Sequence, residues 1–145
     1  MRTRVELVGA PGSGQRVREV AELLTALRDQ RDADPEDVLY TAPPWLLDAF
    51  APERTTEQAE AWLAQWRAAP DKVAFERDSG WSVSNWVHWF SADNEDWRLG
   101  DVVVDEDDRR LVVHLEHDDD PIAYEALRWL AIKGGLAIAG EARVA

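Results

Sequence analysis

The sequence contains no cysteine, which excludes disulfide bridges and thiolate-held metal centres outright. Lysine is almost missing too: Lys72 and Lys133 are the only two among 16 basic residues. No apolar run approaches the ~20 residues that a membrane-spanning helix requires, and no leader pattern precedes the first strand-like segment. A cytoplasmic location is the expectation that follows. The sequence also lacks a Gly-x-Ser-x-Gly elbow, a His-Glu-x-x-His pair and any Cys/His pair, so no familiar nucleophile or zinc signature points to an enzyme.

What is present is acid and tryptophan. The chain has 145 residues, 29 of them acidic against 16 basic, for a formal net charge of −13. Residues 91–120 alone carry 12 acidic and 3 basic side chains, a net −9. Such a field repels phosphate backbones and anionic membranes and attracts cationic partners, so direct nucleic-acid binding is disfavoured. A salt-adapted or GC-rich proteome accounts for the same bias without any partner, and that plain alternative stays open. The length suits one domain, here taken as residues 1–145, and eight tryptophans, each able to bury roughly 150–250 Å², supply ample core.

Along the chain, Arg4–Val8 reads as a strand and Gly9–Gly14 as a turn. A helix over residues 15–31 follows, with Val17, Val20, Leu24 and Leu27 at helical spacing and Ser13 as its N-cap. Val38–Tyr40 suggests a short strand, and Pro44 starts a helical turn. Thr55 with Gln58 makes a capping box for a helix whose apolar stripe is Ala59, Trp62, Leu63 and Trp66. The aromatic run Trp81–Phe90 reads as a long strand. Val102–Val104 and Leu111–Leu115, joined by the turn Asp105–Arg109, predict an antiparallel hairpin. Asp120 caps a helix with Pro121 at its first position, and Leu136–Ile138 is a last strand. The expectation is an α+β, two-layer sandwich: a mostly antiparallel sheet of about four or five strands with two or three helices on one face.

Gly9-Ala10-Pro11-Gly12-Ser13-Gly14 follows a strand and opens a helix, as a phosphate-binding loop does. Through these residues the segment resembles the Walker A loop of P-loop nucleotide hydrolases. That resemblance implies nucleotide binding, but Gln15 stands where the motif needs lysine and Arg16 where it needs Ser or Thr. The phosphates thereby lose their ammonium and magnesium loses a hydroxyl ligand. Val102–Glu106 loosely resembles a Walker B strand, in conflict with the predicted hairpin. A degenerate nucleotide loop, or an aromatic pocket built from Trp81, Trp86, Trp89 and Trp97, is the second reading of function.

Other chemistry is thinner. His117 beside Asp118–Asp120 could bind a metal, although carboxylates before a helix serve equally as caps. Asp105–Asp108 lacks the glycine and glutamate of a calcium loop and reads as a charged hairpin tip. His88 reads as a core histidine of the aromatic strand; with Glu76, Asp78 and His114 it is the best that an enzyme reading offers. No cofactor or resident metal is expected.

The first reading is therefore a non-enzymatic module that docks a basic protein partner. Small, acidic, cysteine-free chains of this kind look like the immunity or antitoxin inhibitors of basic toxins and nucleases from bacteria. The expected surface joins Asp93, Glu95 and Asp96, the hairpin tip Asp105, Glu106, Asp107 and Asp108, and Asp118 and Asp119 into one patch. Trp97 would stand exposed among them as the desolvated anchor.

Overall fold

The first strand, β1 (Arg2–Gly9), buries Thr3, Val5, Leu7 and Gly9 and leaves Arg2, Arg4, Glu6 and Val8 at least partly open. This period of two marks one face toward a core and the other toward solvent. In the computed structural model, which describes residues 1–144, three further strands join it: β2 (Arg98–Val104), β3 (Arg110–Glu116) and β4 (Leu136–Val144). The sheet is antiparallel with the order β2-β3-β1-β4. Seven helices, the 3-10 helix included, complete an α+β fold that is 44% helix and 23% strand.

Two helices carry most of the covering layer. Helix α1 (Gly14–Asp29) buries Val17, Val20, Leu24 and Leu27, at the spacing seen in the sequence. The short helix α2 (Pro44–Leu47) buries Leu46. Helices α3 (Thr56–Ala68), α4 (Lys72–Ser79), α5 (Val83–His88) and α6 (Glu125–Lys133) follow, and α6 buries Leu127, Trp129 and Leu130. On the sheet, Val5, Leu7, Leu111, Val113 and Leu115 meet these side chains in one hydrophobic cluster.

Several local expectations fail for identifiable reasons. Residues 81–90 form no strand: α5 occupies their centre, and Trp86, Val87 and Phe90 are the buried apolar members. That spacing is helical, and the β preference of Trp and Val gives way to the packing of Trp86 on Phe90, with ring centroids 4.7 Å apart. Val38–Tyr40 lies in a 3-10 helix (Pro35–Thr41), because Asp34 accepts the Glu36 N–H and Pro35 suits a first helical position. Ser13 does not cap α1; its hydroxyl instead donates to Ala10 O at 2.5 Å. Asp120 and Pro121 do not start a helix either: α6 begins at Glu125, and Asp120 pairs with Arg143.

The α3 capping box is present, with Gln58 N donating to Thr55 Oγ1 at 3.2 Å and Thr55 N to Gln58 Oε1 at 3.0 Å. Its apolar stripe does not enter the core, since no residue of α3 or α4 is buried. Residues 52–81 are an excursion whose two ends are pinned together. Ala51 N donates to Trp81 O at 2.8 Å, and Glu53 accepts the Ser84 N–H at 3.0 Å and hydroxyl at 2.8 Å.

Candidate functional site

The acidic residues do not make one patch. Across the β2–β3 hairpin, Arg98 faces Glu116 and Val104 faces Leu111. The segments before β2 and after β3 therefore emerge together at one end, and the turn between the strands lies at the other. Along a seven-residue strand the two ends are about 20 Å apart. Screening removes most of an exposed charge's influence beyond about 8 Å at physiological salt, so the two groups act independently. The expected union of the 105–108 tip with residues 93–97 and 118–119 is not formed, because the hairpin register puts them at opposite ends of the sheet.

At the near end, Glu95 and Asp118 line one recess together with Asn94, Glu116, His117 and Arg31. Asp93, Glu95, Asp96, Asp118 and Asp119 are all exposed, and none has an ion-pair partner among the described residues. Their neighbours Glu116 and Asp120 are neutralised, by Arg98 at 3.2 Å and by Arg143. The loop that carries the first three is held by its own polar groups. Asn94 Nδ2 donates to Trp89 O at 2.7 Å and Trp97 O at 2.9 Å, Asn94 Oδ1 accepts the Asp96 N–H, and Ser91 Oγ accepts the Asp93 N–H. Asn94 and Ser91 were not singled out from the sequence, although Ser-x-Asp-Asn is a run of turn formers.

Trp97 is not an exposed anchor. It is 2% exposed, its Nε1 donates to Ala123 O at 2.6 Å, and it stacks on Trp89 with centroids 6.5 Å apart. A large ring flanked by charges is still worth more to the core than to the surface. Its effect on the acidic end is indirect: it ties the 91–97 loop to the segment after Asp120. His117 supports the same end from below. It is buried, with Nε2 hydrogen-bonded to Thr3 Oγ1 at 2.8 Å and Nδ1 to Asp119 O at 2.7 Å. With both ring nitrogens engaged, His117 has no lone pair left to offer a metal. No group of three or more His, Asp and Glu among the described residues is arranged to hold one.

At the far end only Asp108, of the four acids, has a cationic partner among the described residues. Asp105 accepts the backbone N–H groups of Arg109 at 2.9 Å and Arg110 at 3.1 Å, which hold its carboxyl below the usual aspartate range. Asp108 pairs with Arg18 at 2.6 Å, leaving Glu106 and Asp107 as the exposed acids without a partner among the described residues. This tip leans on the glycine-rich turn: Gly9 N donates to Arg109 O at 2.9 Å, and a Cβ on Gly14 would meet the Asp108 Cβ at 3.2 Å. Carboxylates beside that turn oppose a phosphate there.

No family model matches this chain, and no curated protein or solved structure matches it either. The remaining candidates are spread over the surface. His88 is exposed rather than a core residue, and it lines a recess with Glu76, whose carboxylate takes the Trp66 Nε1–H at 2.9 Å. Asp78 borders a neighbouring recess, and the Nδ1 of His114 on β3 is buried with no partner among the described residues. Of the four tryptophans expected to form a pocket, Trp86 and Trp97 are core, and only Trp81 and Trp89 border a recess. No helix of the described residues is long and apolar enough to cross a membrane.

Proposed function

We propose that this protein is a non-enzymatic binding module that docks a basic protein partner through the acidic end of its sheet. One observation carries the reading. Asp93, Glu95, Asp96, Asp118 and Asp119 lie on the two segments that flank the hairpin at that end, exposed and without an ion-pair partner among the described residues, and Glu95 and Asp118 share a recess with Met1, Arg31 and Arg98. A cluster of this kind speeds encounter with a cationic surface and excludes anionic competitors. The hydrogen bonds of Asn94 and Ser91 and the buried Trp97 hold the loops in place before binding, which lowers the ordering cost of association. An inhibitor of a basic toxin or nuclease, of the immunity type, fits the sign of the surface.

The test compares two neutralised variants as baits in lysate from the source cells, at low and raised salt. One replaces the five near-end carboxylates by their amides (D93N, E95Q, D96N, D118N, D119N); the other changes only E106Q and D107N at the far end. A basic protein retained by the wild type and the far-end variant, and released by salt and by the five-fold variant, is the expected outcome. Equal retention by all three proteins refutes the reading.

A further inference from the structure

A recess lies where the excursion of residues 52–81 faces the body, lined by none of the near-end acidic residues. It encloses about 410 Å³, with Phe50, Trp81 and Trp129 as its aromatic lining. A second recess of about 270 Å³ lies against it, sharing Glu76, Gly80 and Trp81 and adding Trp62 and Trp89. The aromatic lining is rigid because it continues into the core: Phe50 packs on Trp129 at 5.1 Å and on the fully buried Trp86 at 5.4 Å.

The walls are two helices. From α6, Glu125, Arg128, Trp129, Ile132 and Lys133 line the larger recess, at the spacing of one helical face. From α4 come Glu76, Arg77 and Asp78. Arg77 spans the gap, giving two N–H bonds to Glu125 at 3.1 and 2.9 Å, so these two charges satisfy each other. Glu76 accepts the Trp66 Nε1–H through one oxygen and keeps its charge. Arg128 and Lys133 remain on the α6 wall with no ion-pair partner among the described residues. With Arg54 of the second recess, the combined lining carries four cations against three carboxylates in a chain whose net charge is −13. The unpaired cations Arg128 and Lys133 stand on the α6 wall, and Asp78, also without an ion-pair partner among the described residues, stands on the α4 wall.

We propose that this cleft is a binding site for a small planar aromatic carboxylate, the ring lying against Trp81, Trp129 and Phe50 and the carboxylate on Arg128 and Lys133. A volume of 300–1,000 Å³, mostly apolar with a few convergent polar groups, is about what such sites have. The inference is independent of the docking surface, which lies on other residues.

The probe is 2-naphthoate, compared with neutral 2-naphthamide and cationic 2-naphthylmethylammonium, by NMR of the eight assigned tryptophan indole N–H signals. Saturable shifts of Trp81 and Trp129 are expected with naphthoate, while Trp45 and Trp97, which do not line the cleft, stay in place. The amide and the ammonium should bind roughly tenfold more weakly, since a charge-assisted bond is at stake. Replacing Arg128 and Lys133 together (R128Q, K133Q) should cost naphthoate about the same factor and leave the amide unaffected. Both positions lie at the surface, and the indole spectrum itself reports whether the variant is folded. Absence of saturable shifts at Trp81 and Trp129, equal affinity for the three probes, or indifference to the double substitution overturns the proposal.

Discussion

If the glycine-rich turn is scaffold, Gly9→Ala should destabilise the protein by overpacking. A Cβ at Gly9 would lie 2.5 Å from Ser13 Oγ and 2.7 Å from Val17 Cγ2, far inside the ~3.5–4.0 Å of an ordinary carbon contact. The hydroxyl can rotate away at the loss of its bond to Ala10 O. Val17 cannot, because it is fully buried between α1 and the sheet. Forcing a methyl into such a site costs about 1–3 kcal/mol, which for a chain of this length lowers Tm by about 3–10 °C. Gly12→Ala is the internal control, since its Cβ would meet nothing within 4 Å and only its φ of +84° resists the change. That strain is worth about 1–2 kcal/mol. Combining Gly9→Ala with Val17→Ala should cost less than the sum of the two, because the second change removes the obstacle to the first. Thermal and urea unfolding read all four proteins. A Gly9→Ala protein with an unchanged midpoint, or strict additivity in the double variant, refutes the close approach of β1 to α1 at this turn.

Trp97→Ala should lose about 3–5 kcal/mol of stability in urea unfolding, as a buried ring does; a change within about 0.5 kcal/mol would instead mark an exposed side chain. Glu53 is held below its usual value of 4.5, chiefly by the Ser84 N–H and then by the Ser84 hydroxyl. A depressed carboxyl contributes its stability in full above the unfolded value and loses it as pH falls through the folded one. The deficit of Glu53→Gln against wild type should therefore be visible at about pH 7 and close on acidification below about pH 4. A deficit that stays constant across that range removes Glu53 as the pin of the excursion.

Much of the fold was legible because its signals are local. The buried stripe of α1 needs only residues three and four apart, the α3 capping box spans four residues, and the β2–β3 hairpin is announced by two β-branched runs around the turn Asp105–Arg109. The strand-like reading of residues 81–90 failed because aromatic and β-branched composition suits either structure until it is known which side chains are buried. The burial of Trp97 was equally hidden: the carboxylates flanking it point outward, while its own ring reaches Ala123, 26 residues on.

By itself, the sequence determined the amount and sign of the charge, the exclusion of thiol chemistry, and the elements whose start and stop signals lie within a few residues. Only the tertiary structure decided where that charge is felt. The pairing of Arg98 with Glu116 sends residues 105–108 to the opposite end of the sheet from residues 93–96, a separation set by strand register and not by distance along the chain. It likewise decided that Trp86 and Trp97 enter the core while Trp81 and Trp89 border a recess, because the free energy of burying an aromatic ring depends on which surfaces the completed fold leaves uncovered.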